Sequence, residues 1–83
     1  MAYHGDVFFD FRFGDVVSID DDGIELLDAD AAHWEALQAL ADAISDVVLP
    51  GQQNQHFSID VRDELGPVLK ITAVLGSTVI RKQ

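Results

Sequence analysis

The side chains of this chain that could do chemistry are a run of carboxylates and three histidines. The carboxylates fall in one short stretch, at Asp20, Asp21, Asp22 and Glu25. An EF-hand calcium register that begins at Ser18 lacks an acidic first ligand, and it has Ala29 where the bidentate glutamate belongs. Aspartates ahead of Gly23 also favour a plain turn. The sequence therefore predicts a turn here and no metal site.

The three histidines do not belong to a recognisable catalytic pattern. They stand at positions 4, 33 and 56, far from one another in the sequence. The chain has no nucleophile elbow, no glycine-rich phosphate loop and no zinc-ligand spacing. Fifteen acids in 83 residues supply carboxylate pairs by chance. We therefore predict no catalytic residue, no cofactor and no enzymatic activity.

The charge of the chain limits its partners. A formal net charge of −10 argues against nucleic acid and anionic membranes, because phosphate binding needs clustered lysine and arginine. Residues 1–50 hold twelve of the fifteen acids and one base, whereas residues 51–83 hold three acids and four bases. This asymmetry favours contacts between copies, although a solvated acidic surface explains it as well. A length of 83 residues predicts one domain. The lack of cysteine and of any membrane-spanning apolar run predicts a cytoplasmic protein.

One long helix is predicted from Asp28 to Leu49. Its apolar positions recur at helical spacing and form one stripe: Leu37, Leu40, Ala41, Ile44, Val47 and Val48. Asp28 or Asp30 is expected to cap the first turn, and Pro50-Gly51 to end the helix.

Two residues of this helix suggest a role beyond packing. His33 falls near the middle of the apolar stripe, where we expect it to close the first turn of the core with a hydrogen bond. Trp34 lies at the edge of the stripe. Its ring is expected either to pack at the rim of the core or to contact a partner chain, since tryptophan is enriched at interfaces.

Alternating apolar and polar residues predict four strands. They are Asp6–Phe13, Val16–Asp20, His56–Asp63 and Val68–Val74. The first strand turns Val7 and three phenylalanines to one side and Phe8 to the other. The last two form a hairpin through a four-residue loop, Asp63–Gly66, in which glycine supplies the left-handed conformation. Residues 6–74 then form the compact core of a single domain, and residues 75–83 form a tail that is either an extra strand or an oligomer contact.

Several of these landmarks resemble the bacterial domain of unknown function 6894, a family of short uncharacterised proteins. They are Val7-Phe8-Phe9-Asp10-Phe11-Arg12, the turn Asp20 to Gly23, Glu25-Leu26-Leu27-Asp28, Ala31-Ala32 with Glu35-Ala36-Leu37, and Val61-Arg62-Asp63-Glu64-Leu65-Gly66. The resemblance covers about residues 6–73. Phe13, Leu27, His33 and Trp34 depart from the usual residues and make the surface more apolar or aromatic. The resemblance implies no activity, and it carries over no catalytic or binding residue.

Together these observations predict an α+β fold. It is an antiparallel four-stranded sheet in ββαββ order with one long helix packed on one face, which leaves the other face uncovered. We expect a homodimer or another protein partner to bind at that face, or at the sheet edge extended by the tail. The residues predicted to lie in this interface are Phe8, Trp34, Val79 and Ile80.

Other classes of function stay open at this stage. The ββαββ order is partly similar to HicB-type antitoxins, which bind a toxin protein, but this is an analogy of fold alone. A small enzyme is a further alternative. Double-stranded-RNA-binding domains also place a helix on a small sheet, but the present chain has acids where those domains have basic loops.

Overall fold

The computed structural model describes residues 5–49 and 53–81, which form one helix on an antiparallel sheet. In chain order the elements are β1 (Asp6–Phe13), β2 (Val16–Ser18), β3 (Ile24–Glu25), α1 (Ala29–Val47), β4 (Gln55–Asp63) and β5 (Gly66–Leu75). The sheet runs in the order β2-β1-β4-β5, and β3 also pairs with β1. The α+β class and the single helix are confirmed.

The prediction of four strands in ββαββ order is wrong, because the segment before the helix contributes two short strands instead of one. Ser18 of β2 pairs with Phe11, and Ile24 of β3 pairs with Val7. These two pairs are four residues apart on β1, from Val7 to Phe11, but six residues apart on the opposite segment, from Ser18 to Ile24. The two extra residues bulge out of the ladder, so the predicted strand Val16–Asp20 ends at Ser18 and pairing resumes at β3. In the part of the chain that the structure describes, the sheet has five strands and the elements follow the order βββαββ.

Side chains hold both ends of α1. Asp28 is the N-cap, and its Oδ1 accepts a hydrogen bond of 2.8 Å from the Ala31 N–H, as the capping rule predicts. The helix ends at Val47, and the Gln55 side-chain amide then pairs with Leu49 through both its carbonyl and its amino group. This pairing fixes the exit of the helix against the start of β4. The predicted helix stop at residues 50–51 lies outside the described residues.

The face of α1 that meets the sheet is rotated from the predicted one. Ala32, Ala36 and Leu40 are buried, whereas Leu37 is exposed. Small alanines let the helix backbone approach the sheet closely, so they occupy the centre of the contact although their own apolar surface is small. The prediction that His33 closes the core is wrong, because its side chain is exposed.

The core is built mainly by β1, β4 and the helix. Its buried members are Val7, Ala36, Leu40, Phe57, Ile59 and Val61, and the other large side chains of β1 on that face pack against them. Phe13 and Phe57, which are partners in the β1–β4 ladder, stack with ring centroids 4.9 Å apart. The predicted aromatic core face of β1 is therefore confirmed.

The β4–β5 hairpin is tighter than predicted. Asp63 and Gly66 are themselves paired, so the loop has two residues rather than four. The Asp63 carboxylate accepts a 2.8 Å hydrogen bond from the Leu65 N–H, and Gly66 has a φ of 120°, which favours glycine. A register shift between Val61 and Arg62 follows. Beyond β5, residues 76–81 form no strand.

Candidate functional site

The face of the sheet opposite the helix carries most of the polar side chains of the strands. Alternation along each strand places there Phe8, Asp10 and Arg12 of β1, His56, Ser58, Asp60 and Arg62 of β4, and Lys70, Thr72 and Val74 of β5. We call this surface the open face. One end is occupied by a set of ionic hydrogen bonds, and the other end forms a groove.

Asp10, Asp20 and Arg62 form what we call the acid–arginine cluster. Arg62 donates from Nε to Asp10 Oδ2 at 2.8 Å and from Nη2 to Asp10 Oδ1 at 3.4 Å. The same Nη2 donates to the Asp20 backbone carbonyl at 3.0 Å. The guanidinium also lies over the Phe8 ring, 4.5 Å from its centroid. Arg62 thus joins β4 to β1 and to the turn that follows β2.

The Asp20 carboxylate takes the place of a strand partner for β1. Its Oδ2 accepts the Phe9 N–H at 3.1 Å, in the gap between β2 and β3. Its Oδ1 accepts the N–H groups of Asp22 at 3.0 Å and Gly23 at 3.3 Å, which closes the predicted turn. The Asp20 N–H donates in turn to Asp10 Oδ1 at 3.0 Å. One side chain therefore satisfies the backbone donor that the bulge leaves without a ladder partner.

The cluster holds its members in their charged forms. Burial raises the pKa of Asp10, but the hydrogen bond from Arg62 and the one from the Asp20 N–H outweigh it, so that its pKa lies below the usual 3.8. Burial likewise raises the pKa of Asp20, and the three N–H groups it accepts bring the pKa below 3.8. The hydrogen bond to Asp10 raises the pKa of Arg62 above its usual value. Both carboxylates are therefore ionised at neutral pH.

Gly23 is needed for this turn to lie close to β1. Its φ is 69°, and a Cβ at this position would stand 2.9 Å from a Phe8 ring carbon and 3.0 Å from the Asp6 Cβ. Phe8 is therefore half-buried between the Gly23 backbone and the Arg62 guanidinium. The structure places this predicted interface residue in contacts within its own chain.

At the other end of the open face lies a shallow groove of about 340 Å³. It is lined by Arg12, Gly14, His56, Phe57, Ser58, Lys70, Thr72, Ala73 and Val74. Arg12, Ser58 and Thr72 are register partners across three strands. We call this feature the basic groove.

The other predicted interface residues lie on two other parts of the molecule. Trp34, on α1, is 62% exposed. Val79 and Ile80, in the tail after β5, are 73% and 90% exposed. Of the histidines, His56 lines the basic groove, whereas His4 lies outside the described residues.

The described ranges, 5–49 and 53–81, contain no group of three or more His, Cys, Asp or Glu side chains placed to hold a metal ion. Both oxygens of Asp20, the residue that began the acidic stretch, are occupied by backbone N–H groups. Within the same ranges no helix has the length and apolar character needed to cross a membrane.

Over residues 5–49 and 53–81 the fold is α+β, with one helix packed on one face of an antiparallel sheet and the open face on the other side. The family model described as "Domain of unknown function (DUF6894)" matches residues 7–74, and the chain belongs to this family. Asp10, Asp20, Gly23 and Arg62 all fall in the stretches that carry the family resemblance. No curated protein and no solved structure matches the chain.

Proposed function

We propose that this protein is a non-catalytic module that self-associates as a homodimer through the β5 edge of its sheet and the tail beyond it. The observation that carries the proposal is the unpaired outer edge of β5. This strand has ten residues, the longest of the sheet, and β4 is its partner on the inner side. No other strand in residues 5–49 or 53–81 pairs with it.

An edge of this length presents a row of backbone N–H and C=O groups that can pair with a second chain. Natural edges are often blunted by proline or lysine, and here Pro67 and Lys70 fall in the first half of β5. Residues 71–75, Ile-Thr-Ala-Val-Leu, contain neither proline nor charge. Antiparallel pairing of two such edges about a two-fold axis gives a closed dimer, which limits growth to two copies.

The apolar residues that follow the edge support the same interface. Val74 and Leu75, at the end of β5, are exposed, and so are Val79 and Ile80 of the tail. Exposed apolar groups placed next to an open edge add buried area to strand pairing and make it stronger than backbone hydrogen bonds alone. This tail is the part of the predicted interface on which the proposal relies.

A non-catalytic role is supported by the state of the charged groups. Asp10 and Asp20 have lowered pKa values and are held by hydrogen bonds, so they cannot donate a proton at neutral pH. Arg62, their partner, holds its charge and bridges two elements. The hydrogen bonds among these groups join β4 to β1 and to the turn after β2. The cytoplasmic location predicted from composition stays a prediction.

The test is the solution mass of the full chain and of two matched double variants. Val79→Asp/Ile80→Asp changes the tail. The control, Val16→Asp/Leu27→Asp, changes one residue of β2, at the other edge of the sheet, and one residue just before α1. The two pairs have similar exposure, 73% and 90% against 65% and 80%, and they add the same charge. Light scattering over a hundredfold range of protein concentration should give a dimer for the wild type and the control, and a monomer for the tail variant.

Two outcomes would contradict the proposal. A wild-type chain that is monomeric over the whole range would remove self-association. Equal loss of the dimer in both double variants would assign the effect to general charge repulsion rather than to the β5 edge.

A further inference from the structure

The basic groove crosses three strands at a place where the side chains form a regular grid. Arg12, Ser58 and Thr72 stand in one row across β1, β4 and β5, and neighbouring strands are about 4.8 Å apart. His56 lies two residues from Ser58, and Lys70 lies two residues from Thr72, so both point to the same face. The three basic side chains therefore bracket the two hydroxyls.

The charge of the groove is opposite to that of the chain. Acids make up 15 of the 83 residues, yet none lines the groove. The described bases besides Arg12 and Lys70 are Arg62, which is engaged by Asp10, and Arg81, which lies in the tail. Within the described residues Arg12 and Lys70 have no carboxylate at ion-pairing distance. Asp60, the register partner of Lys70, stands on the same face outside the groove.

The hydroxyls complete the set of donors. Ser58 is 7% exposed and lies at the floor, whereas Arg12, Lys70 and Thr72 are exposed around it. A guanidinium offers two parallel N–H donors to an oxyanion, and an ammonium and a hydroxyl add donors from other directions. We propose that the basic groove binds the phosphate or carboxylate group of a small organic anion.

Size and charge both favour a small ligand over a large polyanion. The volume of about 340 Å³ is at the lower end of the range of small-molecule sites, about 300 to 1,000 Å³. Nucleic acid or an anionic membrane would also contact the acidic surface around the groove, because the net charge of the chain is −10. The same net charge weakens the attraction of a small anion, so the expected dissociation constant for a simple oxyanion is about 1 mM.

The test is a titration of the full chain with inorganic phosphate, followed by ¹H–¹⁵N NMR at constant ionic strength set with chloride. The amides of His56, Ser58 and Thr72 should shift and saturate, while those of the helix should not. A parallel titration with acetate distinguishes binding of a carboxylate group from binding of a phosphate group. Saturation with both anions supports a general oxyanion site, and saturation with phosphate alone supports the phosphate class. No saturation with either, or shifts centred outside the groove, overturns the proposal.

Charge-neutralising variants supply a second measurement. Arg12→Gln and Lys70→Gln should each weaken phosphate binding about tenfold, which is the loss of one charge-assisted hydrogen bond. Arg81→Gln removes the same charge outside the groove and should leave the affinity unchanged. An equal loss in all three variants would indicate a general charge effect and would contradict the site. Arg12→Gln changes β1, which is not next to β5, and it should not alter the solution mass. The tail variants should not alter the titration, so the anion site and the homodimer can each fail without the other.

Discussion

The edge formed by β2 and β3 and the edge formed by β5 close the same sheet, but only the first is interrupted and bound by side chains. On the β2–β3 side, two extra residues bulge from the ladder, and the Asp20 carboxylate accepts the Phe9 N–H. On the β5 side, ten residues run from Gly66 to Leu75 with no strand of the described chain beyond them.

The difference shows how a small sheet can protect one edge and leave the other available. A bulge and short strands make the first edge a poor template for pairing. The acid–arginine cluster holds that bulge in one conformation, since each of its three members bonds to at least one of the others. The β5 edge, which has no such cluster in the described residues, is the one on which the proposed homodimer relies.

The largest effect is expected for Gly23→Ala. The new Cβ would lie within 3.0 Å of Phe8 and Asp6 atoms, and the backbone has a φ of 69°. We expect the free energy of unfolding to fall by about 3 kcal/mol, from the left-handed backbone and the overlap together. Urea unfolding of the wild type and the variant measures this difference in the free energy of unfolding.

Gly14→Ala is the matched control for this variant. Gly14 also has a positive φ, 57°, but nothing lies within 4 Å of its added Cβ. Its cost should be the backbone term alone, about 1 kcal/mol. Equal losses in the two variants would show that the turn does not depend on close approach to Phe8.

Asp20→Ala should cost less, about 2 kcal/mol of unfolding free energy. It removes the acceptor of the Phe9, Asp22 and Gly23 N–H groups, and the Phe9 donor is partly buried. Asp21→Ala is the control, because Asp21 is exposed and should change stability by no more than about 0.5 kcal/mol. If both variants unfold at the same urea concentration, the hydrogen bonds that Asp20 accepts do not stabilise the fold.

The contribution of Asp20 should depend on pH with a defined sign. Its pKa is lower in the folded protein than the usual 3.8, so its stabilisation is complete above that value and is lost as the pH falls through the folded pKa. The stability difference between the wild type and Asp20→Ala should therefore shrink between pH 7 and about pH 2.5. Urea curves for both proteins at both pH values test this. A constant difference would mean that the ionised carboxylate is not what stabilises the turn.

How much of this comparison the sequence could predict depends on the range of the interactions. β1 was predicted with its observed ends, because its alternation of large apolar side chains is local. The helix cap was predicted from local sequence as Asp28 or Asp30, and the structure has Asp28. In contrast, β3 has two residues and exists only because Val7 and Asp6 lie opposite it, and no local pattern marks such a strand.

The helix rotation and the cluster were missed for related reasons. Helical spacing of the larger apolar residues placed Leu37 on the core side, but Leu37 is exposed, and Ala32 and Ala36 are the residues buried there. The Arg62–Asp10 bond joins residues 52 positions apart. The sequence does place Asp10 and Arg62, which have opposite charges, on the polar faces of two predicted strands. Pairing them requires knowing that these two strands are neighbours in the sheet. From the sequence, Asp20 was considered as the last residue of a strand, as a metal ligand or as a turn residue. The strand ends earlier, at Ser18, and the turn prediction is confirmed.

The smallest effect separates the two edges at single amides, by hydrogen exchange. In the wild type the Phe9 N–H should be protected at every protein concentration, because its acceptor is a side chain of the same molecule. Every second N–H of β5 points away from β4, and the proposed homodimer predicts that these amides gain protection as the protein concentration rises. Asp20→Ala should lower protection at Phe9 by about tenfold while the β5 amides keep their concentration dependence. Protection of the β5 amides would then depend on protein concentration, and protection of the Phe9 amide would depend on the Asp20 side chain. Protection at Phe9 that rises with protein concentration would contradict the assignment of the β2–β3 edge as closed.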